Sequence, residues 1–353
     1  MTMICDPFDS LPDPLLLCIL NKLCDIKALG RCSAVSKRFN SLVIQVEDVV
    51  VKVDCVISAE ESNLSLRGKS LLSHIFRVFM GSIIIKPLHA LQQLLVPKKS
   101  IILPEVSHHS PGEVLKNFKR IKNLRIELPG GESGIDNGVI LKWRAEFGST
   151  LESCVILAAS SLINTKKEDK TSDQITNIDD LTNTDENDNS MQDTSGNIPQ
   201  SFFINGGLKL RVVWTISSLI AASARHFLLQ QIVLEHPTLE GLTLVDAEGQ
   251  GTLCMNKQQL LDFRERPIAA SASSNRTQIP ALNIKLWYAP CLHLPGGVMM
   301  KGATLVAIRP SGQSTKKEKD VENFAINAFE SPYDDAIAAL IKRRTYLLEM
   351  NSF

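Results

Sequence analysis

The sequence predicts an α+β protein, or an α/β repeat: a three-helix N-terminal unit, then a larger domain of alternating strands and helices broken by an acidic disordered insert. Three observations predict it. From Leu11 to Val43, 18 of 33 residues are apolar, against 44% for the whole chain. After Glu47 the apolar period shortens from helical spacing to β-branched runs and alternation. Residues 164–200 then carry nine acids, three lysines and five apolar side chains, with no aromatic residue. The expected division is 1–6 tail, 7–48 helical module, 49–163 first part of the larger domain, 164–200 insert and 201–353 second part.

In the N-terminal module, Pro12-Asp13-Pro14 opens the first helix. Asp13 suits the N-cap, and Pro14 suits the first turn because its missing amide would be orphaned anyway. Leu15 to Leu20 is an unbroken apolar run, so this helix is apolar on every face. Asp25 is positioned to cap a second helix through Ala28, Leu29, Cys32 and Val35. Ser36 is positioned to cap a third with Phe39, Leu42 and Val43. About 40 residues cannot hide that much apolar surface in a core of their own, so a second protein is expected to cover part of it.

Beyond the module, Val49 to Ile57 reads as a strand. So do Leu124 to Leu128, Leu151 to Leu157, Leu208 to Ile216, Leu239 to Val245, Leu282 to Tyr288 and Thr304 to Ile308. Helical patterns fall at Leu71 to Met80, Leu88 to Val96, Gly112 to Arg120, Val139 to Phe147, Ile216 to Leu234, Lys257 to Arg266 and Asp334 to Glu349. The spacing L-x-x-L-x-L occurs at Ile121, Leu124 and Ile126, and at Leu239, Leu242 and Leu244; Leu151, Cys154 and Ile156 follow it with one substitution. That is the leucine-rich-repeat pattern, in which each strand-plus-helix unit must stack on its neighbours to close a core. An irregular solenoid of this kind is the expected architecture, with an ordinary α/β or α+β domain as its competitor.

The insert carries a net charge of −6 in a chain that is neutral overall, with 38 basic and 38 acidic residues. It holds too little apolar area to offset the entropy of ordering it. Thr182 precedes Asp185 by three and Ser190 precedes Asp193 by three, an acid-directed phosphosite spacing beside the plainer reading of a surface loop. The balanced charge gives no field for a nucleic-acid or membrane partner. No apolar run approaches the roughly 18 residues of a membrane span, and Asp6, Pro7 and Asp9 do not make a signal peptide. The eight cysteines form no C-x-x-C pair and read as buried thiols of a soluble intracellular protein.

The N-terminal residues resemble the F-box. The match is Leu11-Pro12, the Leu16, Ile19, Leu20 and Leu23 ladder, an acid opening the second helix, and Val-x-Lys-Arg-Phe-x-x-Leu-Val from Val35 to Val43. Pro14 stands where many F-boxes carry Glu, Ser36 replaces Cys and Phe39 replaces Trp. The remainder resembles the plant auxin up-regulated F-box proteins. That likeness rests on Leu141-Lys142-Trp143-Arg144-Ala145-Glu146-Phe147-Gly148, Gly206-Gly207-Leu208-Lys209-Leu210-Arg211-Val212-Val213-Trp214, Asp246-Ala247-Glu248-Gly249-Gln250-Gly251, Lys285-Leu286-Trp287-Tyr288-Ala289-Pro290 and Gly302-Ala303-Thr304-Leu305-Val306. The resemblance implies a non-catalytic substrate receptor of a Skp–cullin–F-box ubiquitin ligase, without cofactor, located in nucleus or cytoplasm. It would hold the Skp adaptor, and through it cullin, by the F-box, and an unknown protein substrate by the C-terminal region. The implied adaptor contacts are Leu11, Pro12, Leu15, Leu16, Ile19, Leu20, Leu23, Val35, Lys37, Phe39, Leu42 and Val43. Leu11, Pro12 and Leu16 are the leading candidates, and roughly half of the set is expected to face the module's own core.

Rival chemistries find little support. Gly249-Gln250-Gly251 lacks the remaining residues of a phosphate loop and reads as a turn. His108-His109 has no partner at metal-ligand spacing, and Cys154 and Cys291 have no histidine at nucleophile spacing. Two other classes stay open: a repeat-type scaffold uncoupled from ubiquitin transfer, and a small-molecule sensor using Trp143, Trp214, Trp287 and Tyr288. For these aromatics, core packing is the competing assignment. Lys342-Arg343-Arg344 is a short basic patch, either a solvated face or a weak nuclear signal.

Overall fold

The computed structural model describes residues 7–8, 10–53, 115–129, 139–164, 199–246, 249–266, 276–312 and 324–353. The first three elements are helices α1 (Asp13–Leu23), α2 (Ile26–Val35) and α3 (Lys37–Val43). α1 begins one residue early: Pro12 is its N-cap, and Pro12 O accepts from the amides of Leu15 and Leu16 at 3.0 and 3.2 Å. The expected caps of the next two helices form. Ala28 N donates to Asp25 Oδ2 at 2.9 Å, and Phe39 N donates to Ser36 Oγ at 3.1 Å.

The larger domain is built on one mixed sheet. Its strands are β1 (Asp48–Lys52), β2 (Asn123–Leu128), β3 (Ile140–Phe147), β4 (Leu151–Ala159), β5 (Ser161–Asn164), β6 (Gly241–Asp246), β7 (Gly251–Met255), β8 (Leu282–Leu294), β9 (Val298–Pro310) and β10 (Thr345–Met350). The spatial order is β1-β2-β6-β7-β3-β4-β9-β8-β10, with β5 also on β9. The helices are α4 (Gly207–Glu235), α5 (Lys257–Glu265) and α6 (Tyr333–Ile341).

Part of the sheet stacks as the leucine pattern requires. β1, β2 and β6 run parallel, with Val49, Leu124 and Leu242 in one layer and Val51, Ile126 and Leu244 in the next. All six face the core. The stacking stops there. β7 folds back antiparallel on β6, and the β3/β4, β4/β9, β8/β9 and β8/β10 pairs are antiparallel too. A solenoid keeps its strands parallel and in chain order, so among the described residues a mixed sheet replaces the expected irregular solenoid.

The centre of the sheet is covered on both faces. Along β4, Cys154, Ile156 and Ala158 belong to the core that α4 covers, and Val155, Leu157 and Ala159 to a second core with Ala336, Ile337 and Leu340 of α6. β8 and β9 divide likewise, Tyr288 and Val306 to one side, Trp287 and Leu305 to the other. This is the period of two expected of strands, and burial on both faces makes them read as continuous apolar runs. The module joins the same core: Leu16, Leu29 and Val43 are continuous with Val49 and Leu124. Val50 N donates to Cys24 O at 2.8 Å, so the turn between α1 and α2 docks on the β1 edge.

Four expectations change. Leu208 to Ile216 is the start of α4, not a strand, and Val139 to Phe147 is strand β3, not a helix. Asp334 to Glu349 splits into α6 and β10. α4, at 29 residues, is long and apolar enough by length and composition to cross a membrane, contrary to expectation; here it lies against β3, β4 and β7. The helices expected at Leu71 to Met80 and Leu88 to Val96, His108-His109 and residues 165–198 of the insert lie outside the described residues. Of Gly112 to Arg120, the described residues begin with helical Leu115 and leave the helix through a turn at Lys116 and Asn117, with Phe118 N donating to Leu115 O at 3.1 Å.

Candidate functional site

α1 divides the expected contact residues between two surfaces. Leu16 and Leu20, four apart, are fully buried, and Leu42 and Val43 of α3 close the same core. Leu15, Ile19 and Leu23 recur at the same helical interval on a different face, 53%, 49% and 39% exposed. Pro12 and Lys37 are exposed, Val35 is 72% exposed, and Leu11 and Phe39 are half-buried against the core. Leu16, Leu20, Leu42 and Val43 are therefore core residues, which withdraws Leu16 from the leading contact candidates. The residues left exposed are Pro12, Leu15, Ile19 and Leu23 along α1, with Cys18 exposed on the same helix, and Val35 and Lys37 at the α2/α3 junction.

Arg38 holds this face in shape. It reaches from α3 to the turn before α1, with Nε 2.8 Å from Asp13 Oδ1, Nη1 2.9 Å from Phe8 O, and Nη2 bonded to Leu11 O. Phe8 and Phe39 meet edge to face at 5.7 Å. Sequence reasoning singled out Lys37 and passed over its neighbour. The signal was the Lys-Arg-Phe triplet, where one basic side chain turns out to solvent and the other back to the carbonyls of the Leu11-Pro12 turn.

In the larger domain the charged and aromatic candidates lie in the interior. Arg225 of α4 pairs with Asp246 at the end of β6, Nη2 to Oδ1 at 3.0 Å, both buried. Asp246 Oδ2 also accepts from Gly251 N at 3.0 Å, and the guanidinium lies 4.8 Å from the Trp143 ring centroid. Gly249-Gln250-Gly251 is thus the expected turn, between β6 and β7. Gly249 has φ +63°, and a Cβ at Gly251 would stand 2.3 Å from Trp143 Cζ2. Arg211 is buried against the rings of Phe202 and Tyr288, at 4.5 and 4.6 Å, which themselves meet edge to face, and donates to Thr304 Oγ1 at 2.9 Å. Burial lowers its pKa.

His226 is fully buried, stacked on Phe147 at 4.3 Å. Its Nε2 donates to Gly148 O at 2.9 Å, which leaves Nδ1 to accept from the Thr277 hydroxyl at 2.7 Å. Burial lowers its pKa to about 3, so it is neutral at physiological pH, and burial pushes the Cys154 thiol up. Trp143, Trp214 and Trp287 are core residues, and Tyr288 packs against Arg211. Among the described residues no group of three or more His, Cys, Asp or Glu is placed to hold a metal ion.

An apolar stripe left exposed on α1 above a buried core is the kind of surface that a protein partner covers. The F-box-like family matches residues 8–46. F-box protein At5g46170 of Arabidopsis thaliana is 53% identical over 385 residues, covering 100% of this chain and 95% of that relative. F-box protein At4g18380 is 53% identical over 376 residues, and F-box protein AUF1 is 36% identical over 360, covering 99% of this chain and 100% of AUF1, both again from Arabidopsis thaliana. No solved structure matches the chain. The chain belongs to the plant F-box proteins, in the auxin up-regulated F-box family of AUF1 and AUF2.

Proposed function

We propose that this chain is the substrate-recognition subunit of a Skp–cullin–F-box ubiquitin ligase and carries out no covalent chemistry of its own. The observation that carries this is the Leu15, Ile19 and Leu23 stripe of α1, exposed although the module has a filled core beneath it. Desolvated apolar anchors dominate interfaces of this kind, and the stripe, continued by Pro12 at the head of α1, supplies them. The Skp adaptor covers that face and links the chain to cullin.

The target binds the larger domain. An exposed apolar cluster at the head of α4, Phe203, Ile204, Leu208 and Val212, supports this half of the reading. An auxin-related signalling role belongs to the same reading, supported by the likeness to AUF1 and AUF2. Nucleus or cytoplasm is the expected location; Lys342, Arg343 and Arg344 form an exposed basic turn between α6 and β10 that suits a nuclear signal.

Co-expression of the full chain with the Skp adaptor, followed by gel filtration, tests the reading. Stoichiometric co-elution is expected. A chain that is folded by circular dichroism yet elutes apart from the adaptor would exclude the ligase role.

A further inference from the structure

The two ends of the sheet are finished differently. β1 is covered, since Val50 N already bonds Cys24 O and the helical module lies beyond it. At the other end β10 pairs with β8 alone, and among the described residues no strand lies outside it. Natural edges are blunted by proline, bulges, shortness or inward charge. β10 is six residues long, holds no proline and pairs with β8 in unbroken register. Leu347 is 75% exposed, and Leu348 is exposed beside it.

The register fixes which backbone groups of β10 are free. Ser311 N donates to Ala281 O at 2.8 Å, continuing the β8/β9 register in which Leu282 pairs with Pro310. In an antiparallel pair, hydrogen-bonded positions recur at every second residue. Asn283, Lys285 and Trp287 therefore bond β9, and Leu282, Ile284 and Leu286 turn to β10, where their partners are Met350, Leu348 and Tyr346. The N–H and C=O groups of Thr345, Leu347 and Glu349 point away from the sheet. Their side chains share the face of Trp287, the one α6 covers.

We propose that β10 pairs edge to edge with β10 of a second copy of this chain, antiparallel about a two-fold axis at Leu347. The sequence of the strand favours this occupant because it is self-complementary in that register. Leu347 stands opposite Leu347 of the second copy, and Tyr346 opposite Leu348, so apolar side chains face each other at each central position. Thr345, a hydroxyl donor, stands opposite the carboxylate of Glu349, and the exposed turn of Lys342 to Arg344 lies just beyond. The outward groups at Thr345, Leu347 and Glu349 are the ones this pairing uses. An isologous contact of this kind closes at two copies and cannot propagate. The proposal is independent of the ligase reading, because the adaptor face lies in the N-terminal module.

Sedimentation velocity of the full-length chain over a range of concentrations tests it. The expected parent mass is twice the 38.9 kDa of one chain at the upper concentrations. Leu347→Pro removes an outward-pointing amide and breaks no bond to β8, so it should sediment as one chain with unchanged circular dichroism. Leu347→Lys, at a solvent-exposed side chain, sets like charges across the axis and gives the same readout if the proline variant fails to fold. A parent that remains a single chain throughout, or a Leu347→Lys protein that still pairs as the parent does, overturns the proposal.

Discussion

Leu15 and Leu16 are chain neighbours on different faces of α1: Leu16 is 1% exposed in the core with Leu20 and Leu29, and Leu15 stands 53% exposed. About 100° of helix rotation per residue separates a stability residue from a binding residue. Leu16→Ala should cost roughly 2–5 kcal/mol in urea unfolding, as large-to-small core substitutions do. Leu15→Ala should stay within about 0.5 kcal/mol of the parent. Equal losses at both positions would contradict the division of α1 into two faces.

Cys18 lies on the open side of α1, between Leu15 and Ile19, and Cys291 is exposed on β8. Cys154 is buried and its thiol is held protonated. Iodoacetamide should therefore label Cys18 and Cys291 in the folded chain and Cys154 only after unfolding. Adding the Skp adaptor should protect Cys18 and leave Cys291 reactive, read by peptide mass spectrometry. Undiminished labelling of Cys18 in the complex would place the adaptor elsewhere.

Arg225 and Asp246 are a buried pair linking α4 to the β6/β7 turn. Removing one partner strands the other charge, which typically costs about 3–5 kcal/mol. Arg225→Met and Asp246→Asn should each lose stability on that scale. The double variant should lose clearly less than the two losses added, because no unpaired charge remains. Simple additivity in chemical unfolding would show that the pair is not coupled.

The His226 ring has its pKa lowered from 6.5 to about 3 by burial. As pH falls below about 6.5 the unfolded chain takes up this proton and the folded chain does not. The contribution is full above that value, is lost by up to about 1.4 kcal/mol per pH unit as pH falls, and levels off near the folded pKa. His236, also lowered by burial, adds in the same direction. Between pH 7 and pH 5 the parent should lose more melting temperature than His226→Gln, whose side chain does not titrate. Parallel curves would mean that His226 is protonated in the fold.

Much of the molecule could be read from its residues, and the misreadings have local causes. Asp25 and Ser36 mark their helices because a side-chain oxygen on an orphan amide is a local event. The strands at Leu124, Leu239 and Leu282 carry apolar runs that suit nothing else. Val139 to Phe147 holds helix-favouring Lys142, Arg144, Ala145 and Glu146, yet its inward residues Leu141, Trp143, Ala145 and Phe147 alternate, and tertiary packing overrides propensity. Val212, Val213, Thr215 and Ile216 suggest a strand; the long helix wins by setting Trp214, Ser218, Ala221 and Ala222 against the sheet, where small side chains allow close approach. The division of the F-box leucines was hidden because the unbroken apolar run from Leu15 to Leu20 has no polar side to orient it. The Arg225–Asp246 pair was hidden because its partners are 21 residues apart and meet only in the fold.

The most direct test is the affinity of the full chain for the Skp adaptor by titration calorimetry, for the parent and for the Leu15→Lys, Ile19→Lys double variant. Both changed side chains are exposed, so melting temperature and circular dichroism should match the parent. The account predicts at least about tenfold weaker binding, equivalent to about 1.4 kcal/mol, with the fold intact. Unchanged affinity in a folded double variant would contradict the assignment of the α1 stripe as the adaptor-binding face.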